Sequence, residues 1–244
     1  TGVQTCALPI SREWAEIDNE RSRLYGLNPV WDLNNLPSNT DWQDVVYNTA
    51  PVQSYDLSSR GGKKVRYYTS LNYIDQEGII DNTDYQRYGF RINLDADITD
   101  RIKIGSRLGV SRLINNRMQD EDSYNSKGPA AWVLQLPPVV SPYDKNGKLK
   151  PDLELPLATG SSSFFMNPLH YQTNLIDRQY RTGISGSFFA EIEILKGLNF
   201  KSSFNYGLGA AKNGYYKSSK MYHTSLGYQT EASVSSSDSY NWHS

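Results

Sequence analysis

Residues 61–113, GGKKVRYYTSLNYIDQEGIIDNTDYQRYGFRINLDADITDRIKIGSRLGVSRL, decide the fold. They read as three strands joined by one loop and one tight turn. In the middle strand Tyr88, Phe90, Ile92, Leu94, Ala96 and Ile98 alternate with Arg87, Gly89, Arg91, Asn93, Asp95 and Asp97. A period of two sends the first set to one face and the second to the other. The next strand repeats the pattern, with Ile102, Ile104, Leu108 and Val110 against Lys103, Gly105, Arg107, Gly109 and Ser111. The preceding strand is softer, with Val65, Tyr67, Leu71 and Tyr73 against Arg66, Tyr68, Ser70 and Asn72.

Outward from this unit the same grammar recurs. Residues 52–60 form a strand before it, and Gly61-Gly62 supplies the turn, because glycine tolerates the positive φ of tight hairpins. Further on, Ile184, Phe188, Ala190, Ile192 and Ile194 oppose Ser185, Ser187, Glu191 and Glu193. After the turn Lys196-Gly197, Leu198, Phe200, Phe204, Tyr206 and Leu208 oppose Asn199, Lys201, Ser203 and Asn205. A loop over 210–226 leads to a last strand over 228–240. The chain's start differs. Residues 11–26 predict a helix capped by Ser11 and ended by Gly26, with an apolar stripe of Trp14, Ile17 and Leu24. Residues 27–50 are loop-like, with a short helical turn starting at 39–41 and running through Trp42 and Val46. Between the strand sets, 115–178 is proline-rich, with a short helix expected over 129–136. A small hairpin is expected over 143–149, where Asn146-Gly147 signals a type I′ turn.

Connections alternate strictly between short (61–62, 99–100, 196–197) and long (75–84, 115–178, 210–226). In an up-and-down antiparallel sheet this places every short turn at one end and every long loop at the other, as in outer-membrane barrels. Strands of about 10 to 13 residues suit a tilted crossing of a bilayer core of roughly 30 Å, whereas soluble strands average about 5 to 6. The fold class is therefore all-β: an antiparallel transmembrane β-barrel, present as a fragment of about seven long strands with short periplasmic turns and long extracellular loops. On this reading Tyr88, Phe90, Ile92, Leu94, Ile104, Phe188 and Phe200 face lipid. Arg66, Arg91, Asp95, Lys103, Arg107, Glu191, Glu193 and Lys201 face a wet lumen. The alternative is a secreted β-sandwich that binds carbohydrate or acts as an adhesin, in which the apolar faces meet across two sheets.

Composition agrees with either. The mean hydropathy is −0.62 and the net charge −1, so no general attraction to nucleic acid is implied. No run of about 18 apolar residues exists for a membrane helix, but a barrel hides its apolar residues in alternate positions. The one cysteine, Cys6, excludes an internal disulfide framework. Residues 1–10, TGVQTCALPI, read as the in-frame translation of a sequencing adapter, which leaves 11–50 as a helix and extracellular loop and 51–244 as partial barrel. No catalytic constellation stands out, so no enzyme activity, cofactor or metal is expected. His170, His223 and His243 lack ligand-spaced partners, and Asp120-Glu121-Asp122 reads as a solvated loop rather than a calcium site. Glu191 and Glu193 read as polar lining rather than an acid–base pair. Trp132, Phe164, Phe165 and Tyr171 in the long loop are candidates for substrate stacking, with packing of the loop as the competing role.

The string TDWQDVVYNTAPVQSYDLSSRGG (40–62), followed by YYTSLNYIDQEGII (67–80) and YQRYGFRINLDADI (85–98), resembles the SusC/RagA-type TonB-dependent outer-membrane transporters. The Thr-Asp-Trp leader, the strand ending in Gly-Gly, the run from Asp75 to Ile80, and Arg87, Arg91 and Asn93 carry the likeness, and the turns 98–105 and 194–200 suit that family's periplasmic hairpins. The resemblance covers residues 12–244, most sharply 40–113. It implies a barrel of about 22 strands with a plug, located in the outer membrane and energised through TonB. It also implies a SusD-like surface lipoprotein as partner and import of an oligosaccharide or peptide substrate. A plug, a TonB-contacting segment and a barrel-closing strand are not visible in this chain, and a porin without TonB coupling stays open.

Overall fold

A computed structural model describes residues 10–118, 128–221 and 230–244. Seven strands form one antiparallel sheet: β1 (Val52–Gly61), β2 (Val65–Glu77), β3 (Asp84–Asp97), β4 (Ile102–Arg117), β7 (Leu175–Leu195), β8 (Leu198–Lys217) and β9 (Glu231–His243). They lie in the order β1-β2-β3-β4-β7-β8-β9, each hydrogen-bonded to its neighbours in sequence, apart from the insertion between β4 and β7. The sheet is open, with β1 and β9 at its edges. This up-and-down order gathers the connections 62–64, 98–101 and 196–197 at one end. The ends of β2, β4 and β8 and the starts of β3, β7 and β9 lie at the other.

The turns follow from their residues. Gly62 has φ +100°, and a Cβ there would collide with the Val65 carbonyl, so only glycine fits. The turn itself spans 62–64, one residue past the expected Gly-Gly pair. In the next short turn the Thr99 hydroxyl accepts from the backbone N–H groups of Arg101 (3.2 Å) and Ile102 (3.0 Å) and so pins the reversal. Gly197, at φ +86°, closes the third, beside a register shift between Glu193 and Leu195.

Strands β7 and β8 run further than alternation alone indicates, starting at Leu175 rather than 182 and ending at Lys217 rather than near 208. Their distal parts carry Arg178, Gln179, Lys212 and Asn213, which read as loop. Above the apolar band a strand needs no apolar face, so the period-two signal vanishes although the ladder continues.

The buried core lies outside the sheet. At the long-loop end α1 (Ser11–Leu24), α2 (Trp42–Val46), α3 (Pro129–Val133), α4 (Pro168–Asn174), the 3₁₀ turn Ser219–Met221 and the hairpin of β5 (Asp152–Pro156) and β6 (Ser162–Met166) form a cap. Its core comprises Ala15, Trp31, Trp42, Val46, Trp132, Val133, Leu136, Val139, Val140, Leu153, Leu155, Met166, Tyr171, Leu175 and Met221. Trp42 is buried and donates its indole N–H to the Pro137 carbonyl (3.0 Å), joining the N-terminal segment to the insertion. The side chain of Asp41 caps α2, accepting from Gln43 and Asp44.

Several local expectations are corrected here. Ile10, not Ser11, is the N-cap of α1. Ser11 lies inside the first turn, and its hydroxyl donates to the Asn39 side chain (2.6 Å). The buried stripe of α1 is Ser11, Ala15, Asp18, Asn19 and Ser22, while Ile17 and Leu24 are exposed. The helix docks by hydrogen bonding. Asn19 Oδ1 accepts from the N–H groups of Val30 and Trp31 (both 3.0 Å), and Asp18 accepts from the Trp31 indole (2.8 Å). Helix α3 stops at Val133, before the Pro137-Pro138 pair, rather than at 136. Tyr143 and Leu149 do bridge, but of the two turn residues only Gly147 has positive φ (+76°), so the turn is not type I′. The Gly147 N–H donates to the Asp144 carbonyl (3.0 Å) and the Asp144 N–H to that of Lys148 (2.8 Å), the pattern of a type I turn followed by a bulge at glycine. The β5–β6 hairpin has no counterpart in the sequence reading.

No second sheet covers the apolar face among the described residues, so the two-sheet packing that a sandwich needs is absent there. No described helix is long and apolar enough to cross a membrane.

Candidate functional site

The register sorts every strand residue to a face. One row across the sheet reads Leu57, Leu71, Phe90, Val110, Ile184, Leu208 and Tyr240. The adjacent rows read Ser59, Thr69, Ile92, Leu108, Gly186, Tyr206 and Trp242, then Gly61, Tyr67, Leu94, Ser106, Phe188 and Phe204. Ile104 follows in the row of Val65 and Ala96, and Phe200 in that of Ile102 and Ile192. Tyr88, Phe90, Ile92, Leu94, Ile104, Phe188 and Phe200 therefore share one face. It is left open: Leu57 is 69% exposed, Phe200 58% and Trp242 72%. A water-soluble sheet rarely leaves so large an apolar surface bare. Towards the long-loop end the band closes with a row of Tyr55, Tyr73, Tyr88 and Arg112, in which the rings of Tyr73 and Tyr88 lie 4.9 Å apart. Beyond it the face turns polar over β1–β3, with Gln53, Asp75 and Gln86 in register, while Ile114 and Tyr180 continue that row on β4 and β7. From Thr182 to Ile192 the band measures about 33 Å along β7 at roughly 3.3 Å per residue, or about 25 Å of height at a tilt of roughly 40°.

The opposite face carries Arg66, Arg91, Asp95, Lys103, Arg107, Glu191, Glu193 and Lys201. At the short-turn end its charges are matched. Arg66 pairs with Asp97, and Arg107 chelates both carboxylate oxygens of Asp95 (2.8 and 3.0 Å). Glu191 stands opposite both Lys103 and Lys201, and Glu193 accepts from the Gly197 N–H (3.3 Å). Nothing sets these two glutamates apart as an acid–base pair. One residue here was missed by the sequence reading. Phe189 lies on the polar face, covers Gly105, where a Cβ would overlap its ring, and is flanked by Lys201 (4.6 Å) and Arg107 (5.7 Å). Its partner Phe188 dominates the apolar pattern and hides the signal.

The long-loop aromatics divide. Trp132 and Tyr171 are buried, edge-to-face at 5.0 Å in the cap core, and Phe165 packs against that core. Phe164, on β6, is 40% exposed. Cap and sheet are tied together by Asn82, whose side chain donates to the Gln172 carbonyl (2.8 Å), and by the Asn48 N–H, which donates to the Ile79 carbonyl (2.7 Å). In the same region burial holds the His170 imidazole below the ordinary histidine range, with Asp152 pulling it back up and Lys220 pushing it further down; its Nδ1 has no hydrogen-bond partner among the described residues. Burial likewise lowers the Lys150 ammonium, opposed by Asp144. Among the described residues no group of three His, Cys, Asp or Glu side chains could hold a metal ion. Asp120–Asp122, His223 and Cys6 lie outside the described residues.

No family model matches the chain. Among curated proteins it is 28% identical over 188 residues to the TonB-dependent receptor P3 of Formosa agariphila, covering 74% of this chain and 18% of that protein. It is also 28% identical over 141 residues to the TonB-dependent receptor SusC of Bacteroides thetaiotaomicron, covering 54% of this chain and 14% of SusC. The chain is similar to the SusC/RagA-type TonB-dependent receptors. It spans less than a fifth of the length of these relatives. Among solved structures, the RagAB peptide importer in its closed-closed state superposes with a TM-score of 0.65 at 24% identity, covering 88% of this chain and 24% of that one. In its open-open state the TM-score is 0.60 at 22% identity, covering 74% of this chain and 20% of that one. The shared fold with these SusC/RagA-type proteins is the sheet of a barrel wall.

Proposed function

We propose that this chain forms part of the wall and external cap of an outer-membrane, TonB-dependent importer of oligosaccharides or peptides. The observation that carries the reading is the two-faced sheet. A bare apolar face about as tall as a bilayer core backs directly onto a continuous charged face, with every short turn at one end. On this reading Leu71, Phe90, Leu94 and Phe188 meet lipid, while Arg91, Asp95, Arg107 and Lys201 line a wet lumen. The cap lies outside the cell, and the short turns lie in the periplasm. Substrate is captured at the cap, held beneath a SusD-like lipoprotein, and admitted when TonB, drawing on the proton-motive force, remodels a plug. Ile17, Leu24 and Tyr25 of the cap are exposed apolar side chains that such a partner could cover.

The test uses the full-length gene product in its native host. Ser70→Cys and Leu71→Cys are introduced separately, and intact cells are treated with a water-borne, membrane-impermeant maleimide. Ser70→Cys is expected to react once the barrel is opened from the lumen side, and Leu71→Cys to stay silent. Reaction of Leu71→Cys in folded protein sinks the barrel reading. Loss of growth on a glycan or on a peptide after gene deletion separates the two substrate classes.

A further inference from the structure

The charges of the polar face are not evenly matched. At the short-turn end the arginines have carboxylate partners, and beside the cap Arg117 pairs with Asp177 (3.0 Å). Between these, Arg87 and Arg91 on β3 and Arg181 on β7 are exposed and form no ion pair or side-chain hydrogen bond among the described residues. Arg87 and Arg181 stand in one register row, two strands apart, with Leu113 between them. That separation is about 10 Å at roughly 4.8 Å per strand, and Arg91 lies about 13 Å further along β3. On this face the carboxylate nearest Arg87 and Arg91 is Asp56 on β1, two strands and two residues away or about 12 Å, and the one nearest Arg181 is Asp177, held by Arg117, about 13 Å along β7.

The floor between the three arginines is made of Gly89, Gly109, Ser111, Gly183 and Ser185, lining a concavity of about 540 Å³ that also reaches Arg87 and Arg91. The Ser185 hydroxyl sits 3.0 Å from where a Cβ on Gly109 would be, and that of Ser111 3.2 Å from the same point on Gly183. The floor is thus flat and hydroxyl-bearing, with long guanidinium arms at its margins. Guanidinium groups form paired hydrogen bonds to carboxylate and sulfate oxygens, and along this concavity Arg87 and Arg91 outnumber the one carboxylate, Asp56, at its β1 margin.

We infer that Arg87, Arg91 and Arg181 form a track for an anionic oligosaccharide, one bearing carboxylate or sulfate groups, on its way through the lumen. The inference rests on the barrel reading and deepens it by naming the substrate's charge. Spacings of about 10 and 13 Å suit charges distributed along an oligomer rather than one small ion. The Ser111 and Ser185 hydroxyls of the floor can hydrogen-bond the hydroxyls of a sugar.

The full-length protein is purified in detergent, and its fold is confirmed by a mobility that changes on heating. Binding is then measured for tetragalacturonate, a chondroitin sulfate tetrasaccharide, neutral maltotetraose and tetraglutamate. At least one anionic sugar is expected to bind, more weakly at high salt, and to lose about tenfold or more of its affinity in R87Q/R91Q/R181Q. The charge-preserving R87K/R91K/R181K is expected to lose less, and it replaces the triple glutamine variant, alongside the single Gln variants, if that variant fails to fold. The carboxylate and sulfate probes distinguish the group recognised. Unchanged binding in the variants, no binding of either anionic sugar, or preference for tetraglutamate overturns the inference. Failure of the wild type to show the heat-dependent mobility of a barrel overturns the underlying reading instead.

Discussion

Leu94 and Asn93 are neighbours in sequence at nearly the same height in the sheet, on opposite faces. This makes them a direct measure of which face meets lipid. Leu94 is six residues below Tyr88 on β3, about 20 Å along the strand and about 15 Å in height at a tilt of roughly 40°. In a band about 25 Å tall this is within about 3 Å of the midplane. Leu94→Arg is therefore expected to destabilise the folded barrel by about 2–4 kcal/mol, a shift of about 30- to 700-fold in the folding equilibrium. Ala210→Arg lies on the same face in the row of Arg112 and Thr182, at the aromatic edge, and should cost about 0–1 kcal/mol. Asn93→Asp puts a charge at the depth of Leu94 on the wet face, between Arg91 and Arg107, and should stay within about 0.5 kcal/mol of the parent. The assay is a denaturant titration of the full-length protein refolded into lipid vesicles, read by heat-dependent electrophoretic mobility. A cost for Asn93→Asp equal to that of Leu94→Arg, or no depth difference between Leu94→Arg and Ala210→Arg, refutes the assignment of the faces.

Three further predictions concern the cap and the turns. Trp42→Ala removes a buried indole and its hydrogen bond to Pro137, and should cost about 3–5 kcal/mol. Hydrogen exchange should show the loss in cap amides and leave β2–β4 protected; equal loss in both would mean that cap and sheet form one cooperative unit. Gly62→Ala should damage folding more than Gly147→Ala, because both glycines have positive φ but only Gly62 also meets backbone, the Val65 carbonyl. Comparable denaturation midpoints for the two variants would contradict this. The His170 imidazole is held below its ordinary 6.5 by burial, so the unfolded chain binds the proton more readily than the folded one. Its contribution to cap stability should be complete above about pH 6.5 and be lost as pH falls through the folded value. In exchange measurements His170→Gln should flatten that slope, and a pH-independent cap in the parent protein would rule the effect out.

The sheet was legible in the sequence because its strands between Tyr67 and Val110 are two-sided: each residue's polarity reports its face, and the register adds only which partner it meets. Three helices of the cap, at 11–24, 42–46 and 129–133, were legible, but how they pack was not, and the reasons are specific. Helix α1 docks through Ser11, Asp18 and Asn19, so an apolar-stripe argument points to Ile17 and Leu24, which face outward. The β5–β6 hairpin sits between prolines and glycines that read as loop. In the sheet, Arg87 and Arg181 are unremarkable members of an alternating series, and only pairing shows that among the described residues they have no carboxylate partner while Arg66 and Arg107 do. For the long-loop aromatics the sequence left two roles open; Trp132 and Tyr171 are buried in the cap core, while Phe164 is exposed.

The cap is stitched from segments far apart in the chain. Ser11 contacts the Pro138 carbonyl across 127 residues and Trp42 that of Pro137 across 95. For a free chain, closing a loop of that length carries an entropic penalty of about 4 kcal/mol beyond a constant. Most of the intervening residues, however, belong to β1–β4, three successive hairpins in which every contact is between chain neighbours. Once these have zipped, the chain enters β1 and leaves β4 at the same end of a rigid splint, and the remaining closure is short. The order of assembly is thus written into the connectivity: wall first, roof last. A ribosome or translocation machine that delivers the N-terminal segment early leaves Trp42 without the Pro137 carbonyl until the insertion arrives, a window in which a holding chaperone has something to hold.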